Sequence, residues 1–426
     1  MIRALLALIV AGLAATVMIL PAPEPPPPGP AAAVDPPSVS VCPVEEGSGR
    51  NTSIGIVSTI NGDGQFTVFA GGASAGSVPF DTGDSLTVTV PVVDVAAVGV
   101  AAGLVELPNA EAASFSLVLG AESAAHESCQ ATPAQQTLLA GGSTTSGQEF
   151  EIQLMNPYSG EAVVDLTVRS ESGLESASQL RAIAVPSRSS FVVDMDELLP
   201  GRESLAVTIG VTSGSVMAVG HLLDGSDGAL WNAVAPGQDW FVPIPAGGVG
   251  EVVISTGVAA DVEYQVDLYS AGGLIEAFEE GVVPGLGEVV IDIGAVGEGV
   301  AAIRVVSSQP VGVFLRHIGE DGVAFTSGST VTSSRWLLPG AGPGGTGRIV
   351  ILNAGLEEAT VVVTSQMDES VAQEIIVPAG TVMEFQAAEG NADAYTVRSE
   401  GLLVPMWVTT TGTATAYGIG VPLIDE

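Results

Sequence analysis

Few residues in this chain have the types and spacing that chemistry requires. Phe80-Asp81-Thr82-Gly83 has the form of an aspartic-protease signature, and Gly72-Ala73-Ser74-Ala75-Gly76 that of a nucleophile elbow. The first chemistry needs two carboxylates sharing one proton, so a lone copy must be paired by a second or by dimerisation. The sequence holds no other Asp-Ser/Thr-Gly. An elbow needs a strand before its serine and a helix after it; Ser77-Val78-Pro79 follows instead. His221 and His317 each precede an Asp-Gly turn at matching places in the chain, which reads as hairpin packing and not as a base or a metal ligand. His126, near Cys129, reads as exposed. Asp224-Gly225-Ser226-Asp227-Gly228 and Glu320-Asp321-Gly322 set carboxylates on turns. Neither has EF-hand spacing, and Asp-Gly is itself a favoured hairpin turn; calcium at module joints stays open. Trp240 and Trp336 are the candidate ligand platform, against a default of core or junction packing that also covers Trp231 and Trp407. No catalytic residue, cofactor or metal site is assigned, and no enzyme is expected.

Composition narrows the classes further. Eleven basic against 48 acidic side chains give a net charge of −37. Phosphate contacts need clustered Lys and Arg, and anionic lipid attracts the same residues, so nucleic acid and direct lipid docking are excluded as partners. Every basic residue is Arg. Walker-A, Ser-x-x-Lys and Schiff-base lysine chemistry therefore have no residue to act through.

The N-terminus reads as an address. Met1-Ile2-Arg3 is a short positive start, and Ala4 to Leu20 is uncharged and apolar until Pro21. That length lies between a secretory core and a membrane span, so residues 1–20 are a signal anchor or a cleaved signal peptide. Arg3 marks the cytoplasmic end. Residues 21–41 are proline-rich and read as an extended tether or a plain linker. The expected location is the cell membrane, single-pass with the rest of the chain outside; secretion is the alternative. Cys42 and Cys129 then meet an oxidising compartment and are expected to form a disulfide. Closing a loop of almost ninety residues is worth about 4–5 kcal/mol in the chain-entropy view.

The rest of the chain recurs. Val185-Pro186, Val283-Pro284 and Val377-Pro378 precede small-residue turns, and Trp240-Phe241-Val242-Pro243 is echoed by Trp336-Leu337-Leu338-Pro339. Four β modules follow, at 42–131, 135–236, 237–334 and 335–423. In the second, Glu151–Met155, Ala162–Val168, Ile183–Pro186, Phe191–Met195, Leu205–Val211 and Val216–Leu223 are short apolar runs bounded by turn residues. The fold class expected is all-β: tandem immunoglobulin-like β-sandwiches after one N-terminal membrane helix, with a β-propeller as the alternative.

Leu154-Met155-Asn156-Pro157, Ala162-Val163-Val164-Asp165-Leu166, Ser172-Gly173, Val185-Pro186-Ser187 and Trp336-Leu337-Leu338-Pro339 together resemble an actinobacterial family of unknown function. Its members are N-terminally anchored or secreted β-repeat proteins. Ser255-Thr256 and Asn353-Ala354 stand where the second module has Asn156-Pro157, which makes that turn structural. The resemblance implies a surface location and no particular activity. The expected role is a non-catalytic cell-envelope scaffold or interaction protein, its partner an envelope protein or glycan. The alternatives are a carbohydrate-binding or adhesive surface protein and, third, a hydrolase.

Overall fold

Alternation of apolar and polar residues dominates the chain and produces strands. In the segment Ala162–Ser170 each second side chain is buried and those between are half-exposed, the pattern of a sheet with one face on a core. The computed structural model describes residues 39–423, apart from 48–49, 60, 71–72, 83–86, 93–98, 108–111, 121–122, 248–249, 294–298, 320–321, 341–344, 367–371, 388–393 and 413. The expected membrane segment and most of the tether lie outside the described residues. Val39–Val41, assigned above to the tether, already belong to the first strand.

The first group of strands is β1 (Val39–Gly47), β2 (Arg50–Ser58), β3 (Asp63–Ala70), β4 (Ala73–Asp81), β5 (Thr87–Pro91), β6 (Gly99–Glu106), β7 (Ala112–Leu119) and β8 (Ala124–Ser128). The second is β9 (Gln136–Gly142), β10 (Gln148–Asn156), β11 (Ala162–Ser170), β12 (Gly173–Leu174), β13 (Ile183–Val185), β14 (Ser189–Asp194), β15 (Leu205–Ser213), β16 (Met217–Asp224) and β17 (Asp227–Asn232). The third is β18 (Gly237–Ile244), β19 (Glu251–Ser255), β20 (Val262–Ser270), β21 (Gly273–Val283), β22 (Glu288–Asp292), β23 (Ala301–Gly319) and β24 (Gly322–Ser327). The fourth is β25 (Ser333–Leu338), β26 (Thr346–Asn353), β27 (Ala359–Ser365), β28 (Ala372–Val377), β29 (Thr381–Gln386), β30 (Tyr395–Thr411), β31 (Ala414–Ile419) and β32 (Val421–Pro422). Helix is scarce among the described residues: Val92, the 3-10 turn Ser178–Leu180 and the single turn Met195–Leu198, whose N-cap Asp194 accepts from the Glu197 N–H.

One antiparallel pairing order serves all four groups. In the first, β4-β3-β6-β1 and β5-β2-β7-β8 run side by side, joined where β1 turns into β2. The second has β13-β11-β15-β9 and β14-β10-β16-β17. In the third, the 19-residue β23 serves both sheets, pairing β20 and β18 along its first half and β19 and β24 along its second. β30 does the same in the fourth, between β27 and β25 and then β26 and β31. Each group thus holds two sets of paired strands and is called a sandwich below.

The sandwiches meet through their final strands. β8 packs on β17, β17 on β24, β24 on β31, and β31 on β8, so four strands close a ring. Ala124, Ala414 and Ala416 are buried together there. Small side chains let the backbones approach, and larger rings fill the layer around them: Trp231 of β17 stacks on Phe325 of β24 at 4.1 Å and on Phe150 of β10 at 5.6 Å.

The Asn156 turn has a clear structural cause. Asn156 Oδ1 accepts from the Tyr158 N–H while Nδ2 donates to the carbonyls of Gly160 and Val185. Asn353 repeats this with Gly355, Glu357 and Val377. In the third sandwich Thr256 accepts from the Val258 N–H in the same way. The equivalent of Asn156 is therefore Thr256, one residue beyond Ser255.

Candidate functional site

The residues singled out above scatter when placed. Cys42 of β1 and Cys129, just after β8, form a disulfide that ties the first strand of the first sandwich to its last. Trp240 and Trp336 are buried, 2% and 0% exposed, which corrects their reading as a ligand platform. Each lies on a strand whose inner face is core. The Trp240 indole N–H donates to the carbonyls of Val311 and Gly237, and that of Trp336 to Ser333. Trp231 and Trp407 are buried as well. Asp81 ends the edge strand β4, and Ser74 lies in the β3–β4 hairpin with strand, not helix, after it.

The histidines also need correcting. Glu151 pairs with His221 across β10 and β16, whereas Glu251 pairs with Arg316 across β19 and β23. Because Glu151 and Glu251 each lie five residues before the Asn156 or Thr256 turn, the structural counterpart of His221 is Arg316. His317 falls one residue out of phase and points to the other face of its sheet. His126 is not exposed but fully buried, stacked on Phe115 at 5.7 Å. Neither of its nitrogens finds a partner among the described residues. Burial holds its pKa down to about 3, so the imidazole is neutral.

What the sequence reading missed lies at the seams between sandwiches. Between the first and second, Glu45 holds Arg50 at 2.9 Å and stands 3.0 Å from His221 Nε2, with Glu151 3.7 Å from Nδ1. Burial opposes the charge on His221, but hydrogen bonding to Glu151 and Glu45 outweighs it and raises its pKa. Burial likewise opposes ionisation of Glu45, yet His221 and Arg50 leave its pKa lowered. Nearby, the buried Glu127 accepts from the Ser128 and Asn232 N–H groups; burial prevails over these bonds and lifts its pKa to about 7. Between the third and fourth, Glu384 accepts from Arg348 and from the Ala246 N–H. The seam that closes the ring is apolar: Val57, Ala113 and Phe115 meet Leu337, Ala394 and Leu423. A cavity of about 30 Å³ beside His126 leaves room for one or two waters.

The seam between the second and third sandwiches opens into a polar cleft of about 390 Å³, lined by Ser143, Thr145, Gln148, Glu203, Gly250, Glu251, Asp292, Arg316 and Ile318. Arg316 forms its floor. Nε and Nη2 donate to Glu251 Oε2 at 2.7 and 2.6 Å, and Nη1 donates to the Gly141 carbonyl at 3.0 Å. The Gly141 N–H donates in turn to Glu288 Oε2. Burial raises the Glu288 pKa to about 7 against the pull of that N–H and of Arg316. On the wall, Thr145 donates to Gln148 Oε1, and Gln148 donates to Asp224. The cleft thus offers an oriented cation, amide and hydroxyl groups, and carboxylates on its rim. The available signal was a charge interrupting an apolar strand, as Arg316 does in Val311–Ile318 and Glu127 does after Ala124-Ala125.

Comparison with known proteins adds little about activity. No curated protein matches the chain. Among solved structures, the viral chemokine binding protein R17 of rodent gammaherpesvirus Peru aligns at 9% identity over 70% of this chain and 88% of that one, with a TM-score of 0.16. A tetra-tandem repeat from the extending region of a large adhesion protein aligns at 11% identity over 85% and 92%, with a TM-score of 0.09. Two B repeat units of the collagen binding protein of Staphylococcus aureus align at 9% over 85% and 94%, with a TM-score of 0.10. Scores this low carry no argument about fold or function. Residues 120–388 match a family of unknown function, a span from the last strand of the first sandwich to β29 of the fourth. The chain belongs to that family, DUF5719.

Proposed function

We propose that this protein is a non-catalytic scaffold or interaction protein of the cell envelope, displayed outside the membrane and built as four repeats of one immunoglobulin-like sandwich. The observation that carries the reading is where the reactive side chains go. The tryptophans, His126, His221, Arg316 and the buried glutamates are spent on cores and on seams between sandwiches. With the two-residue β12 left aside, the second strand of each group pairs with the fifth and the third with the sixth, the central pairs of an immunoglobulin-type fold. The first strand pairs with the sixth in every group, which departs from that order.

The Cys42–Cys129 disulfide supports export, because such bonds persist in oxidising compartments. The partner under this reading is an envelope protein or glycan held against a rigid, acidic ring. The test is made on the native protein from its own cells. Denatured without reductant, it is expected to resist maleimide labelling, and protease added to intact cells is expected to degrade it. Two free thiols, or complete protection from protease until lysis, would overturn the location. Turnover in a hydrolase panel by purified protein, abolished by Asp81→Asn or His221→Gln, would overturn the non-catalytic role.

A further inference from the structure

We propose that the cleft between the second and third sandwiches is a binding site for a neutral, hydroxyl-rich ligand the size of one sugar residue. The inference begins with a difference between two seams. At the seam before it, the Glu45 side chain from the end of β1 reaches His221. At this seam the end of β9 is Gly141-Gly142, and Arg316, the counterpart of His221, meets only a carbonyl there. A side chain at Gly141 would be strained. Its φ is +84°, and an added Cβ would lie 3.1 Å from the Phe325 ring. A backbone carbonyl therefore stands here where a carboxylate closes the other seam, and the polar cleft opens beside it.

That space is chemically specific. The Arg316 side chain is only 9% exposed, and the residue lines the cleft. A guanidinium has five N–H bonds. Glu251 and Gly141 accept from three of its nitrogens, which leaves N–H groups for a ligand oxygen. Glu203 and Asp292 stand on the rim as acceptors, Thr145 and Ser143 offer hydroxyls, and Ile318, 39% exposed, forms an apolar lip. Donors on the floor, carboxylates on the rim and one apolar edge match a sugar ring, whose hydroxyls both give and accept and whose C–H face is apolar. A volume of about 390 Å³ lies in the range of small-molecule sites. An anion is disfavoured by the surrounding charge, and a cation is set apart by the ethylammonium control below. A free anion meets Glu203, Glu251 and Asp292 in a chain of net charge −37, and like charges repel it. This site uses none of the tryptophans, and it stands or falls separately from the envelope location.

The experiment titrates full-length protein with the methyl glycosides of glucose, mannose, galactose and arabinose, followed by amide chemical shifts. Ethylammonium and sulfate serve as charged controls. At least one glycoside is expected to saturate shifts at Thr145, Gln148 and Gly250, with a Kd of roughly millimolar order, as for a small polar ligand. Glu203→Ala combined with Asp292→Ala, both changes on the exposed rim, is expected to weaken it at least about tenfold while thermal unfolding stays unchanged. No saturable shift with any glycoside overturns the proposal. So does saturation by ethylammonium or sulfate alone, or glycoside binding that survives the double variant.

Discussion

The carboxyl of Glu127 makes the stability of the ring fall as pH rises. It is 1% exposed and sits where β8 meets β17. Three donors reach it: the Ser128 N–H at 2.9 Å, the Ser128 hydroxyl at 3.2 Å and the Asn232 N–H at 3.1 Å. These favour the carboxylate, but burial outweighs them and lifts the pKa from 4.5 to about 7. Between those values the folded state holds a proton that the unfolded state has released, so stability declines with rising pH, and the decline is complete above about 7. The separation corresponds to roughly 3 kcal/mol. Glu127→Gln removes the titration while keeping one acceptor and the shape. Urea unfolding followed by tryptophan fluorescence, at about pH 4.5 and about pH 8, gives the comparison. The stability of the parent minus that of the variant is expected to drop by roughly 3 kcal/mol between the two conditions. Glu288 and His126 also shape the parent's pH curve, but they are present in both proteins and cancel. A difference that stays constant within about 0.5 kcal/mol, small against one shifted carboxyl, would refute the reasoning.

Four further outcomes are expected. Replacing Cys42 and Cys129 together by Ala frees a loop with a sequence separation of 87 and should cost about 4–5 kcal/mol in unfolding without reductant. Gly418→Ala would set a Cβ 2.1 Å from His126 Nδ1; a loss of about 1–3 kcal/mol is expected, and His126→Ala in the same chain should recover part of it, with strict additivity telling against the contact. His221 should titrate above its ordinary value of 6.5 by imidazole NMR, since Glu151 and Glu45 hold its proton; its stabilising effect is then full below 6.5 and lost as pH rises through the folded value, and a midpoint below 6.5 would contradict this. At the same seam, Glu45→Ala alone should cost about 3–5 kcal/mol, whereas an apolar replacement of Glu45, Arg50, His221 and Glu151 together should cost less; a quadruple variant weaker than the single one would show the pairing itself to be the source of stability.

How much could be read beforehand depended on the range of the interaction. Strand alternation is local, so the runs at Glu151–Met155 and Ala162–Val168 fall within β10 and β11. β9 and β17 were missed because Thr137–Gly142 and Gly228–Asn232 are buried almost throughout and show no alternation. The disulfide was legible because the expected export makes pairing of two cysteines the simplest outcome. The cleft was not legible. Arg316, Glu251, Glu203 and Thr145 are far apart in sequence and meet only through the docking of two sandwiches. Reading His221 and His317 as equivalents failed because spacing counts residues along the chain, while β23 runs unbroken where β15 and β16 are separate strands.

The seams then explain how four similar sandwiches in one chain take their places. An apolar seam tolerates many partners, and a ring with four alike could close out of order. The seams here differ: Glu45 with His221 and Arg50 at one, Arg316 with the Gly141 carbonyl at the next, Glu384 with Arg348 and the Ala246 N–H at the third, and stacked rings beside alanines at the fourth. A wrong pairing at the first seam would bury Glu45 and His221 without each other, at several kcal/mol, and at the next two it would strip Arg316 of the Gly141 carbonyl or Glu384 of the Ala246 N–H. A correct pairing gains little over apolar packing, because desolvation cancels most of the attraction. The weight of the buried ions is therefore on order and not on overall stability, which is why the single and quadruple replacements at the first seam are expected to diverge.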